Sequence, residues 1–252
     1  MTENITLNTV ERVTTMTISR PAKRNAITQD MYAAMADALE DYARSDDSRA
    51  FVITGAEDYF TSGNDLQGFA TGPRGDEVPP VTRFLAAIST CPKPLIAAVN
   101  GPAIGVGVTM LLHCDLIIAA DTATFSTPFV QLGLVPEAAS SLLLSATVGM
   151  AVANDMLLAN RVLDADEAVR FGLVSRVCPF ADLKVETGKV AAQLANAAPN
   201  AMRKSKSLIR QGQEQVAAQM EKESVLFAEQ LSSPEFAEVI AARMQKRMPD
   251  FT

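Results

Sequence analysis

Residues Lys93–Met110 read KPLIAAVNGPAIGVGVTM, and the order of residue types there decides the fold class. LIAAV is a short unbroken apolar run closed by Asn-Gly, which marks a buried strand and a sharp stop. PAIGVGVTMLLH follows as a glycine-rich turn entering an apolar helix. DLIIAA (115–120) then supplies another buried strand, ending at Asp121. Strand, turn, helix and strand within thirty residues make an α/β unit. The layout invites comparison with a dinucleotide-binding fingerprint, but Gly105-Val-Gly107-Val-Thr-Met110 lacks its third glycine. The unit also begins near residue 94 and does not open the domain, so a nicotinamide site is not expected. The turn still offers backbone N–H groups at a helix start, suited to an anion or a developing oxyanion.

Outward from this unit the pattern stays mixed. Upstream, NITLNTV and RVTTMTIS, divided at Glu11, suit a hairpin, and RPAKRNAI reads as a loop. Thr28 can cap a helix running to about Ser45, with Met31, Met35, Leu39 and Tyr42 at helical spacing. AFVITG (50–55) is a buried strand. Residues 60–80 form a long Gly/Pro-rich loop, and a helix follows near 81–90. Downstream, helices take over from Ser140. DADE (164–167) is a capping box, Gly172 stops that helix, and GLVSRVC is a last short strand. Helical patterns near 181–197, 200–211, 213–231 and 235–247 finish the chain, punctuated by Pro199 and Pro234. The fold class is α/β over two thirds of the chain, with a helical C-terminal region and no clear repeat.

The chain has 252 residues, 48% hydrophobic, enough for a sizeable core. A net charge of −7 argues against a nucleic-acid or anionic-membrane binder, although a local basic cluster can still hold phosphates. Apolar runs near 94–112 and 125–153 are interrupted by polar residues, Gly or Pro, and are core segments. The start, MTENITLNTVERVTT, has no signal-peptide character, and MPDFT is not a peroxisomal address; a cytoplasmic protein is expected. Three scattered cysteines fit reduced thiols. A single histidine, His113, rules out a His-rich metal site and reads as a packed or capping residue; no phosphate loop of the GxxxxGK[ST] type occurs.

FTSGNDL (60–66) is a second glycine-supported turn after a strand. Two such turns can each aim one amide at a single carbonyl oxygen, and losing one such donor typically costs ~3–4 kcal/mol of barrier. RPAKRNAI, FTSGNDL, KPLIAAVNGPAIGVGVTM, CDLIIAADTATFSTPFVQLGLVP and ADEAVRFGLVSRV occur in that order over about residues 10–180. This series resembles the successive signatures of the crotonase, or enoyl-CoA hydratase/isomerase, superfamily. The resemblance implies a crotonase-like spiral of ββα units (residues 1–195) and a helical C-terminal trimerisation subdomain (196–252). It implies homotrimers or hexamers, fatty-acid metabolism of the β-oxidation type, and an acyl-CoA thioester substrate. Coenzyme A would arrive with the substrate, with no separate cofactor, metal, nucleic acid or membrane partner. Carried onto this chain by motif, the oxyanion-binding N–H groups belong to Asn64 and Val106. Val106 stands where glycine is usual, but it still donates an N–H. Lys23, Arg24 and Ala26 would line the CoA site, the two cations meeting phosphates or simply lying in solvent. Ser62, Gly63, Asp65, Leu66, Gly105, Phe129 and Pro136 would line the substrate.

The reaction depends on carboxylates. Hydratases of this family use two glutamates, and the matching positions here are Thr109 and Phe129. Threonine is no general base near neutral pH, and phenylalanine excludes the water that hydration needs. Glu137 remains, the only charge between Asp121 and Asp155. TPFVQLGLVPEAASS resembles the corresponding stretch of Δ3,Δ2-enoyl-CoA isomerases, in which a glutamate at this place is the sole acid/base. The alternative is that Glu137 serves as a cap or first-turn acid of the helix through Leu142–Leu144. Apolar neighbours should raise its pKa. Rival readings are another crotonase reaction (hydratase, dehydratase, decarboxylase or hydrolase) and a non-catalytic acyl-CoA- or RNA-binding homologue.

Overall fold

Residues 3–65 and 78–251 are described by a computed structural model, in which a six-stranded sheet forms the spine. Its strands are β1 (Ile5–Val10), β2 (Val13–Ile18), β3 (Ala50–Gly55), β4 (Leu95–Val99), β6 (Leu116–Ala120) and β9 (Arg176–Cys178), side by side in that order. The β1–β2 pair is the antiparallel hairpin expected from sequence; every later pairing in the sheet is parallel.

Parallel strands must be covered on both faces, and the sequence alternates accordingly. Phe51, Ile53, Leu95, Ala97, Val99, Ile117 and Ala119 enter the larger core, beneath α1 (Gln29–Arg44) and α2 (Pro80–Thr90). Their neighbours Val52, Ile96, Ala98, Ile118 and Ala120 point the other way, against Leu183, Val190 and Ala191 of α7 (Leu183–Ala195). Thr28 caps α1 by accepting the Met31 N–H, and Asp164 and Glu167 close the capping box of α6 (Ala165–Arg170).

Between β4 and β6 the structure departs from the expected single helix. Ala103–Ile104 is a two-residue strand, β5, followed by one α-turn, α3 (Val106–Thr109), and a 3-10 turn to His113. Strand β5 pairs with β7 (Thr124–Ser126), which pairs with β8 (Leu163–Asp164), forming a small second sheet. The remaining helices are α4 (Ser140–Val148), α5 (Met150–Leu157), α8 (Pro199–Ile209), α9 (Gln213–Leu231) and α10 (Pro234–Gln245). The last two send Phe227 and Phe236 into the larger core. None of the helices described is long and apolar enough to cross a membrane.

Candidate active site

The two glycine turns adjoin each other through short strand-like bridges, Ile27 with Asn64 and Thr61 with Ala103. Ile27 N–H donates to the Gly63 carbonyl, and Asp65 N–H donates to the Ile27 carbonyl, both at 2.9 Å. Strand alternation therefore turns the Asn64 N–H to the opposite side. Ile104 N–H reaches the Thr61 carbonyl at 3.0 Å, and Gly105 N–H reaches Ser126 at 2.9 Å. Val106 comes next, at the first position of α3, where no intrahelical acceptor exists. Among the described residues no backbone acceptor meets either N–H. Gly63 has φ +92°, and a Cβ there would lie 2.9 Å from the Ile104 carbonyl oxygen, so only glycine permits this close approach.

The first turn is locked from below. Tyr32, on the buried face of α1, donates its hydroxyl to Asn64 Oδ1. Arg20 pairs with Asp65 at 2.6 Å and donates to the Ala26 carbonyl at 3.2 Å. Buried Asn25 donates to the Ala56 and Tyr59 carbonyls, and Thr61 Oγ1 donates to the Asn25 carbonyl at 2.7 Å. Ser62 is tied by its N–H to the Arg24 carbonyl and by its hydroxyl to that of Lys23. The Lys23 and Arg24 side chains stay exposed, with the Arg24 guanidinium 5.5 Å from the Tyr59 ring centre. Leu66 lies outside the described residues, as does most of the 68–80 loop. Tyr32, Arg20 and Asn25 were not singled out from sequence: Tyr32 shares the apolar helical stripe, and the other two act through contacts distant along the chain.

Glu137 is 7% exposed. Its carboxylate accepts a long hydrogen bond, 3.4 Å, from Thr109 Oγ1, its one side-chain partner among the described residues. Burial raises its pKa to about 7; the Thr109 hydrogen bond opposes this, and the charge of Glu223 adds to it. Burial also raises the Tyr32 hydroxyl, with a further contribution from the Glu137 charge. The cap role belongs to another acid: Glu223 of α9 accepts the N–H and hydroxyl of Ser141 at the start of α4. Ala139, not Glu137, occupies the N-cap position.

Glu137 and Ala138 lie on the wall of a cavity of about 910 Å³. Val81 and Leu85 of α2 and Val216, Met220 and Phe227 of α9 make it largely apolar. Glu214 and Glu221 also border it but are exposed, which leaves Glu137 as the buried carboxylate among its described lining. Thr109 and Phe129, the positions that the resemblance matches to hydratase carboxylates, are both buried; Phe129 packs into the core. Gly105 lies at the head of α3, and Pro136 is half-buried beside Glu137. A smaller cavity, about 270 Å³, lies under α8, where the Lys93 ammonium is spent on the Tyr42, Ser45 and Ser48 carbonyls.

The enoyl-CoA hydratase/isomerase family model matches residues 8–252. This chain belongs to the enoyl-CoA hydratase/isomerase family. A solved enoyl-CoA hydratase/isomerase from Pseudoalteromonas atlantica T6c superposes with a TM-score of 0.97 at 50% identity, covering 99% of this chain and 100% of that one. Its crotonase fold is thus this chain's fold. Enoyl-CoA delta isomerase 2 of Rattus norvegicus is 42% identical over 81% of this chain, but the match spans only 53% of that longer protein. The 2,3-dehydroadipyl-CoA hydratase of Escherichia coli K12 is 35% identical over 96% of this chain and 95% of its own length. The family makes the chain an enzyme. Isomerases and hydratases both stand among its relatives, so the reaction has to be argued from the residues of this site.

Proposed function

We propose that the protein is a Δ3,Δ2-enoyl-CoA isomerase acting on an acyl-CoA thioester, with Glu137 as its sole acid/base. The observation that carries this reading is the buried Glu137 carboxylate on the cavity wall, with Thr109 and Phe129 where a hydratase needs its carboxylates. Ionised Glu137 takes a proton from C2 of a 3-enoyl thioester. The electron pair left on C2 spreads into the thioester carbonyl and the C3–C4 double bond, giving a dienolate. The N–H groups of Asn64 and Val106 donate to its oxygen. The carboxyl then delivers its proton to C4, leaving the double bond between C2 and C3. Substrate and product are isomers, so no water, oxidant or metal is consumed, and coenzyme A is simply the handle of the substrate. A carboxylate titrating at about 7 is matched to reversible proton transfer at neutral pH. Lys23 and Arg24, both exposed, are the cations proposed to meet its phosphates.

The test is spectrophotometric. Wild-type protein given a 3-enoyl-CoA should generate conjugated-enoyl absorbance, and Glu137→Gln should lose about 10²–10⁴-fold in kcat. The wild-type kcat/KM should rise with pH through about 7 and then level off, because the base must be ionised. Equal rates for the two proteins would sink the mechanism. Rapid formation of 3-hydroxyacyl-CoA from a 2-enoyl-CoA would instead establish a hydratase.

A further inference from the structure

The backbone that presents Glu137 is unusual. Ala138 and Ala139 follow it with φ of +60° and +56°, two successive left-handed residues with Cβ atoms. L-residues adopt this region at a cost, and such a turn persists only where its surroundings hold it. Most of the hold is local backbone: Ser140 N–H on the Glu137 carbonyl at 3.0 Å, and Leu143 N–H on the Ala139 carbonyl at 2.8 Å. The Ala138 carbonyl is held from outside the segment, by His113 Nε2 at 2.9 Å. A carbonyl oxygen can only accept, so Nε2 must carry the proton. His113 is 2% exposed, and burial pushes its pKa down to about 4, which keeps the ring neutral with Nδ1 bare. Its own backbone is pinned by Arg210, the residue that ends α8, whose guanidinium donates to the His113 carbonyl and pairs with Asp115 at 3.0 Å.

We propose that His113 is a positioning residue whose Nε2–H clasps the Ala138 carbonyl and so aims the Glu137 carboxylate into the cavity. This rests on the isomerase reading for its kinetic consequence only. The imidazole touches no substrate; it fixes the turn that carries the base. A base displaced by about 1 Å can lose 10²-fold in rate while binding is hardly altered, because binding is spread over the whole cavity.

Since His113 is the chain's one histidine, its ring nitrogens can be observed without assignment. Nitrogen-15 spectra of wild-type protein should show a neutral ring protonated at Nε2 throughout pH 5.5–8.5. A ring protonated at Nδ1, or titrating in that range, would overturn the proposal. His113→Phe removes the donor and keeps a ring, whereas His113→Gln restores an N–H at similar reach. Expected with 3-enoyl-CoA is a fall in kcat of about 10–100-fold for His113→Phe with KM within about 3-fold, and substantial recovery for His113→Gln. The Glu137 carboxyl titration, read by infrared difference against Glu137→Gln, should shift in His113→Phe and return in His113→Gln. A folded His113→Phe with wild-type kcat and wild-type titration overturns the proposal. If wild-type protein shows no isomerisation, the functional reading fails, while the tautomer and the carboxyl titration still decide the positioning role. If His113→Phe does not fold, His113→Gln against the shorter His113→Asn makes the same comparison.

Discussion

At Glu137 the chemistry works against stability. The isolated side chain titrates near 4.5, and burial moves it to about 7 in the folded protein. At pH values below 4.5 both folded and unfolded chains hold the proton and no difference arises. Between 4.5 and about 7 the unfolded chain releases a proton that the folded chain keeps, so stability falls as pH rises. Above 7 both are ionised and the loss is constant, ~3 kcal/mol for a shift of this size. Glu137→Gln should therefore unfold at higher urea than wild type at pH 8.5, by about 2–3 kcal/mol, with most of the gap gone at pH 5. Equal stabilities at both pH values would mean that the carboxylate is not desolvated. The sign matters for the isomerase reading: a cap or surface acid replaced by glutamine gives no gain at high pH.

Elements differ in how far sequence discloses them. Strands β3, β4 and β6 are legible because a parallel strand covered on both faces must be a largely apolar run, and here β3 ends in Gly55 while β4 and β6 are followed by Asn100 and Asp121. The α6 capping box and the Thr28 cap are legible because both partners lie within three residues. The β5 strand is not: Ala103 and Ile104 are extended by pairing with Phe125 and Ser126, over twenty residues away. The same limit hid the clasp of His113, which reads locally as one more packed side chain. The two glycine turns could be read from local sequence, and the family resemblance assigned their amides to Asn64 and Val106, yet the contact between those turns is visible only in three dimensions. That contact can be tested at Gly63. Gly63→Ala puts a Cβ 2.9 Å from the Ile104 carbonyl at φ +92°, so the turn must shift. Expected is a stability loss of about 1–3 kcal/mol from backbone strain and a larger effect on rate, about 10²–10³-fold in kcat. Thermal melts and isomerase rates on the same preparation separate the two; a melt shift with wild-type kcat would detach the turn from the chemistry.

Across the whole molecule, the C-terminal helices join the site to the outer surface. Lys206 of α8 spans to the sheet, donating to the Lys93 carbonyl and to Asp115 at 2.7 Å each, and Asp115 in turn accepts the Leu95 N–H. Helix α9 supplies a cavity wall through Val216, Met220 and Phe227 and carries Glu223, which holds the start of α4. Large apolar side chains of the same region are nevertheless left in water: Leu208, Ile209, Met244, Met248 and Phe251, with Ile209 and Met244 both 82% exposed. Exposed apolar side chains mark surfaces that bury against other chains where they form a contiguous patch. Light scattering should therefore give three or six times the 26.9 kDa chain mass, as the trimerisation reading of residues 196–252 expects. Ile209→Asp with Met244→Asp should lower that mass, since each carboxylate would have to enter an apolar interface unpaired. A wild-type protein that stays at 26.9 kDa at micromolar concentration would refute the assembly. Because α9 is both cavity wall and part of this region, the dissociated double variant should also bind substrate more weakly. Its KM should rise more than its kcat falls, the reverse of the pattern expected for His113→Phe.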